Sequence, residues 1–137
     1  MSDDPSTGPS TDEARREAGM RTRREVLGDA WVDRAVASTT PFTAGFQDFI
    51  TRTAWGDVWQ RPGLERRERS IATLSICIAL RHWDEFALHV RAAKNNGLSD
   101  EDIAEVLQHA AVYAGVPAAN HAFKVAAPIL EELRGRE

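Results

Sequence analysis

Three side chains capable of acid–base chemistry lie close together in the sequence: His82, Glu85 and His89. Their spacing, i, i+3 and i+7, places all three on one face of a continuous helix. A carboxylate one helical turn from an imidazole can orient the ring, select its tautomer and raise its pKa towards the range useful for proton transfer. A surface Glu–His pair beside a core histidine is the alternative, so the residue types alone leave the role open.

The same three residue types can also bind metals. However, the pattern His82-x-x-Glu85-x-x-x-His89 is not a recognised ligand spacing, and no other cluster of Asp, Glu and His obviously completes a coordination shell. We therefore expect no metal at this cluster.

A second candidate group is the loop Trp55–Gly63, which holds two tryptophans and Arg61 and precedes three more arginines. Such residues suit the wall of a pocket with an anion-binding end. Alternatively, the tryptophans cover the core and the arginines pair with Glu65 and Glu68. His109 and Tyr113, one turn apart on a later helix, are further candidates for lining a pocket, although packing explains such residues equally simply.

The elements that must position these groups are helical, because apolar residues recur at spacings of three and four and sustained period-2 alternation is absent. A Thr40-Pro41 cap opens a helix with a phenylalanine stripe that ends near Trp55-Gly56, and Ser99–Asp102 forms a capping box. The sequence therefore predicts an all-α protein. The predicted helices and junctions are Asp12–Leu27, Ala30–Ala37, the helix after Thr40, a helix from Leu64 to Leu80, a junction at Arg81–Asp84, Glu85–Asn96, a helix after Ser99, a break at Gly115–Pro117, and Ala118–Leu133.

Two of these segments have features that favour contacts with another subunit. The run Ile71–Leu80 is apolar or small on every side, which predicts a buried helix near a subunit interface. The charge-rich arm Asp12–Leu27 has few apolar anchors and needs a partner surface, for which an adjacent protomer is one possibility.

Length and composition narrow the class of protein. The chain has 137 residues, a formal charge of −4 and one cysteine, Cys77. We expect a disordered tail at Met1–Thr11 and one domain at 12–137. The chain is mildly acidic, so it lacks the excess of positive charge that is typical of nucleic-acid-binding proteins. No segment approaches the roughly 20 apolar residues of a membrane helix. No secretory signal is recognisable, so we expect a cytoplasmic protein.

Five segments in one order resemble the 4-carboxymuconolactone decarboxylase family. They are Trp55–Leu64, Arg67–Ser70, Glu85–Ala92, Asn96-Gly97 and Tyr113–Asn120. The resemblance implies the all-helical, alkylhydroperoxidase D-like fold and a homohexamer, with a trimer as the alternative. The peroxidase branch of that fold needs a CxxCxxxH motif, whose cysteine positions are occupied here by His82 and Glu85. The segment Arg81–Asp84 departs from a more usual Leu-Gly-Arg-like junction.

The family's reaction implies that neither a metal nor an organic cofactor is needed, because the substrate itself accepts the electrons, and it implies roles for the candidate residues. Loss of CO₂ from 4-carboxymuconolactone, a dianionic lactone, pushes electrons through the ring double bond onto the lactone carbonyl, and protonation at carbon gives 3-oxoadipate enol-lactone. On this hypothesis His89, oriented by Glu85, supplies the proton and Trp59 excludes water. Arg61 and Arg69 bind carboxylates, while His82, His109 and Tyr113 line the pocket.

Two alternatives remain beside this hypothesis. One is a decarboxylase or lactone-acting enzyme of the same fold that accepts a different small acid. The other is a non-catalytic oligomer that binds a small acid, which needs the Trp–Arg loop but not a titrating His89.

Overall fold

A computed structural model describes residues 11–136 of the chain, and within that range every regular element is helical. The all-α prediction is therefore confirmed. Chain contacts divide the protein into two compact units, an N-terminal unit that ends at Glu65 and a C-terminal unit that begins at Arg66. The single domain at 12–137 stays a prediction. The helices are α1 (Asp12–Leu27), α2 (Asp29–Ala37), α3 (Ala44–Ile50), a π-helical segment (Thr51–Val58), α4 (Arg66–Leu80), α5 (Trp83–Asn95), α6 (Asp100–Ala114) and α7 (Val116–Arg134).

Helix α1 has the bounds that the sequence predicts. Thr11, which we expected in a disordered tail, instead caps it, because its hydroxyl oxygen accepts a hydrogen bond from the backbone N–H of Ala14 at 3.1 Å. The rest of the predicted tail lies outside the described residues.

The charged helix α1 finds a packing surface within its own chain, against the π-helical segment Thr51–Val58. Two glycines permit this contact. A Cβ added at Gly19 would lie 2.0 Å from the carbonyl oxygen of Thr51, and one at Gly56 would lie 2.5 Å from that of Arg15. Since real Cβ atoms do not approach backbone so closely, the two helices can pack at this distance only where side chains are missing.

The structure differs from the sequence prediction around α3. Thr40 accepts backbone hydrogen bonds from Thr43 and Ala44 in a turn, so the helix begins at Ala44 rather than directly after Thr40. It also continues past Gly56 to Val58, with π-helical hydrogen bonding. The phenylalanine stripe is exposed in this chain, to the extent of 96% for Phe42 and more than half for Phe46 and Phe49.

The C-terminal unit packs α4, α5, α6 and α7 around one apolar core. Its largest fully buried side chains include Leu74, Ile78, Phe86 and Leu107. The predicted capping box at the start of α6 is confirmed: the Ser99 hydroxyl and the Asp102 carboxylate each accept a hydrogen bond from the other residue's backbone N–H. Helix α5 thus packs against α4, α6 and α7, which hold it in place.

Helix α6 is also tied to α4 through one ion pair. The Arg67 guanidinium donates to the Asp102 carboxylate at 2.9 Å and holds the pKa of that carboxyl well below its usual range. Arg67 therefore supports the fold rather than pairing with Glu65 or Glu68.

Helix α4 is only partly covered. Leu74, Cys77 and Ile78 are buried, whereas Ile76 and Leu80 are 56% and 59% exposed. The apolar run Ile71–Leu80 is thus buried on one side only within this chain. No helix in the described residues has the length and apolar character needed to cross a membrane.

Candidate active site

The start of α5 collects the three acid–base residues. Arg81 ends α4 with φ +59°, a left-handed conformation that favours glycine, and the chain turns so that α5 begins two residues later. His82 occupies the N-cap of α5. Its backbone N–H donates to the Cys77 carbonyl oxygen at 2.8 Å, and its backbone carbonyl oxygen accepts a hydrogen bond from the backbone N–H of Phe86. Glu85 follows in the first turn and His89 one turn later. The predicted junction is present, and Glu85 and His89 lie one turn apart on α5, whereas His82 precedes the helix rather than lying on its face.

His89 is almost fully buried, and its environment decides its charge. Its side chain is 8% exposed, whereas that of Glu85 is 64% exposed, and the His89 Nε2 lies 4.0 Å from a Glu85 carboxylate oxygen. That distance is too long for a hydrogen bond. Burial lowers the pKa of His89 to about 4. The expectation that Glu85 raises this pKa is therefore wrong for this structure, because desolvation of the imidazolium outweighs the attraction of a largely solvated carboxylate.

Cys77 lies on α4, where its carbonyl oxygen accepts the hydrogen bond from the backbone N–H of His82. Burial and, secondarily, the negative charge of Glu85 raise the pKa of its thiol. A thiol held in its protonated form is a poor nucleophile. Cys77 therefore suits a packing role, as the sequence predicts.

Fold stability should fall as the pH drops from 7 to 4, because His89 binds a proton more readily in the unfolded chain. The pKa of His89 is about 4 when folded against 6.5 for the free side chain. The loss begins below about pH 6.5, is complete near pH 4 and amounts to about 3 kcal/mol. Urea unfolding at several pH values measures it. His89→Gln should flatten this part of the pH dependence and His121→Gln should leave it unchanged; an equally steep dependence in both variants would contradict the assignment.

Trp83 and His121 adjoin the site and were missed by the sequence analysis. The Trp83 ring packs edge-on against Phe86 and lies 4.5 Å, between centroids, from the ring of His121 on α7. This contact fixes α7 against the first turn of α5, next to His82. Only the tertiary contact connects residues 83 and 121, since no local spacing relates them.

The remaining candidates are distributed over other elements. Arg69 lies half-buried on α4, while His109 and Tyr113 are exposed on α6 and pair with each other, their ring centroids 5.2 Å apart. Trp59 and Arg61 belong to the N-terminal unit. There Trp59 stacks on the buried Trp55, with centroids 5.2 Å apart, and Arg61 is exposed.

The described residues contain no group of three His, Cys, Asp or Glu side chains that could hold a metal ion. The first turns of α5 present a buried, neutral imidazole, His89, with the Glu85 carboxylate 4.0 Å away. Such a ring can donate one hydrogen bond and accept another.

Comparison with known proteins adds to this geometry. Residues 44–128 match the model of the carboxymuconolactone decarboxylase family. The chain is 42% identical over 122 residues to a 4-carboxymuconolactone decarboxylase of Acinetobacter baylyi, which covers 89% of this chain and 91% of that protein. It is 41% identical over 131 residues to a nitrosuccinic acid decarboxylase of Metarhizium robertsii, covering 93% and 92% of the two chains. A 4-carboxymuconolactone decarboxylase of Pseudomonas putida is 54% identical over 43 residues, which are 31% of this chain and 90% of that one.

Proposed function

The chain belongs to the carboxymuconolactone decarboxylase family, and from this premise we propose that it is a carboxy-lyase that converts 4-carboxymuconolactone to 3-oxoadipate enol-lactone. This reaction belongs to the protocatechuate branch of aromatic degradation, the β-ketoadipate pathway. The similarity to the Acinetobacter baylyi enzyme over most of both chains is the observation that carries the proposal.

The substrate needs little help from a cofactor. Electrons released with CO₂ pass through the ring double bond to the lactone carbonyl, so the lactone itself accepts them. The enzyme must hold a dianion, stabilise the oxyanion that develops and deliver a proton to carbon. These tasks require cationic side chains and a proton carrier, which are the residue types among the candidates.

His89 is our candidate for the proton carrier. In the free protein it is neutral near pH 7, because burial lowers its pKa to about 4. A dianion bound beside the ring would favour the imidazolium, so substrate binding would itself promote uptake of the proton that is later delivered. Glu85, one turn away, would assist the protonated form through its charge. His82 at the helix N-cap would line the same end of α5.

Cationic and aromatic side chains complete the proposed machinery. Arg61 and Arg69 would bind the two carboxylates, and Trp59 would exclude water around the departing CO₂. His109 and Tyr113 would line the pocket. Because the protein is acidic, with a net charge of −4, this local positive charge is needed to attract a dianion.

A second substrate is favoured by one specific observation, the 41% identity to a nitrosuccinic acid decarboxylase. In nitrosuccinic acid the nitro group can accept the electrons that decarboxylation releases, as the lactone carbonyl does in carboxymuconolactone. The same binding and proton-transfer groups would serve both acids. The departure at Arg81–Asp84 includes His82 and is where we would expect selectivity between the two acids to arise.

Direct assay of the purified protein tests the choice. The lactone and nitrosuccinic acid are supplied separately, and CO₂ release is followed together with loss of the lactone's ultraviolet absorbance. We expect a higher kcat/KM for the lactone. Turnover of nitrosuccinic acid alone would favour the second substrate, and binding of either acid without turnover would favour a non-catalytic binding protein.

Self-association is the second part of the proposal. Several large apolar side chains of the C-terminal unit are exposed in the single chain: Ile76, Leu80, Val112, Tyr113, Val116 and Phe123. Single exposed apolar residues are ordinary, but this number on one unit favours burial against another copy. We propose a homohexamer, with a trimer as the alternative.

The double substitution Ile76→Glu, Leu80→Glu should reduce the mass of the assembly. Both side chains lie one turn apart on α4 and are more than half exposed, so charges there should oppose association and leave the helical content unchanged. Light scattering coupled to size-exclusion chromatography measures the mass, with Lys124→Gln as the control. A monomeric wild-type protein, or an unchanged mass in the double variant, would contradict the proposal.

A cytoplasmic location is also part of the proposal. The single cysteine is buried and no disulfide requires an oxidising compartment. Cell fractionation of the natural host tests it, and enrichment outside the cytoplasmic fraction would refute it.

A further inference from the structure

The N-terminal unit contains a buried arginine that the proposed reaction does not use. Arg23 on α1 is 3% exposed. Its Nη2 donates a hydrogen bond to the Gln47 side-chain oxygen at 3.1 Å, and its buried Nε has no hydrogen-bond partner. A guanidinium offers five donors, and burying one without a carboxylate is unfavourable. A buried guanidinium with an unused donor is therefore a candidate group for binding an anion.

Three aspartates of the N-terminal unit, Asp29, Asp33 and Asp48, are engaged by other arginines. Arg24, the next residue, binds Asp29 at 3.1 Å and Asp33 at 2.8 Å. Asp48, which lines a second pocket together with Arg23, pairs with Arg16 and Arg52. Arg23 itself forms no ion pair with any residue that the structure describes. Its burial and the charge of Arg24 lower its pKa, which is the response of a cation without an anionic partner.

Arg23 opens onto a pocket of about 340 Å³ whose lining contains a second arginine and no acidic residue. The lining residues are Arg23, Trp31, Arg34, Ala35, Ser38 and Gln47. Arg34 is exposed and, among the described residues, likewise forms no ion pair. Two uncompensated guanidinium groups thus face one pocket, which gives it the charge required for an anion.

The other walls of the pocket are compatible with an anion. The Arg23 guanidinium carbon lies 5.6 Å from the centroid of the Trp31 ring, so the guanidinium packs against the indole at one wall of the pocket. The Ser38 hydroxyl donates to the carbonyl oxygens of Arg34 and Ala35 at the end of α2. These carbonyls, which would otherwise repel an anion, are therefore partly compensated.

We propose that this pocket is a carboxylate-binding site in which Arg23 and Arg34 hold a small carboxylic acid anion through charge-assisted hydrogen bonds. Planar guanidinium groups match the geometry of a carboxylate, and the volume accommodates a small dicarboxylate. The carboxylate is supplied either by the substrate of the reaction or by a separate small acid. This proposal rests on the surroundings of Arg23 and Arg34, and it holds whether or not the protein decarboxylates the lactone.

Calorimetric titration of the full-length protein with succinate tests the site. Arg34→Gln should raise the Kd for succinate at least about tenfold, because it removes a charge-assisted contact. This variant should fold normally, since Arg34 is exposed. Arg23→Lys keeps the charge but loses the planar fork, and it should also weaken binding. Arg21→Gln, an exposed arginine of α1 outside the pocket, is the matched control and should bind as the wild type does.

The two sources of the carboxylate give different kinetics. A higher KM for the lactone in Arg34→Gln, with kcat unchanged, would identify the substrate as the occupant. An unchanged KM together with weaker succinate binding would identify a separate carboxylate ligand. No succinate binding to the wild-type protein at millimolar concentration, or equal Kd values for Arg34→Gln and Arg21→Gln, would overturn the proposal. The succinate Kd values can be read even if the lactone is not turned over.

Discussion

His89→Gln should lower kcat for the lactone by about 10²–10⁴-fold, the usual contribution of a positioned proton-transfer group. Glutamine can fill much of the space of the imidazole and still form hydrogen bonds, but it cannot take up and release a proton near pH 7. KM should change little, because the proton is needed in the transition state more than in the bound substrate. Steady-state kinetics on the lactone, with circular dichroism to verify folding, measures the effect.

The matched control for this variant is His121→Gln on α7, a histidine outside the proposed machinery. It should retain nearly wild-type kcat. Glu85→Gln should cause a smaller loss than His89→Gln, because its carboxylate lies 4.0 Å from the ring and is mostly solvated. Near wild-type turnover by folded His89→Gln protein would eliminate His89 as the proton carrier and leave the family assignment intact.

Gly19→Ala should destabilise the N-terminal unit by about 3 kcal/mol, at the upper end of the cost of overpacking. The new Cβ would lie 2.0 Å from the Thr51 carbonyl oxygen and 2.9 Å from the Gly56 nitrogen, both of them backbone atoms. Backbone cannot move aside as a flexible side chain can, so α1 must separate from the π-helical segment. Urea unfolding followed by circular dichroism measures the change.

Gly45→Ala in α3 is the matched control for this substitution. A Cβ at Gly45 meets no atom within 4 Å, and the position is helical. Alanine should therefore leave the free energy of unfolding unchanged or raise it by up to about 1 kcal/mol. If Gly19→Ala were as stable as Gly45→Ala, the close approach of α1 to the π-helical segment would be refuted.

Much of the local structure follows from neighbouring residues. The predicted break at Gly115–Pro117 is shorter in the structure, since α7 begins at Val116 with Pro117 in its first turn. The bounds of α1 and the Ser99–Asp102 capping box were predicted and are present. The start of α3 was not, because Thr40 and Thr43 form a turn with each other before the helix begins. Capping and turn formation compete for the same hydroxyl groups, and a single sequence does not reveal which will prevail.

The sequence also determined which groups of the candidate site share one helix end. Glu85 and His89 come together because their spacing matches one turn of α5, and this holds wherever the helix packs, while His82 directly precedes the helix as its N-cap. The family resemblance depended on residue types and order, which are likewise properties of the sequence. Comparison with known proteins supports both the family and the decarboxylase chemistry.

Only the tertiary structure decided the charge of His89 and the burial of Arg23 without a carboxylate partner among the described residues. A carboxylate one turn away favours a raised histidine pKa, yet burial lowers it to about 4. Likewise Arg23 and Arg24 are adjacent and identical in type, but one is buried beside Gln47 and the other binds two aspartates. The physical reason is that desolvation depends on every atom packed around a group, and most of those atoms come from residues distant in sequence. Spacing places a side chain on a helix face, and packing then determines whether that face is exposed to solvent or buried.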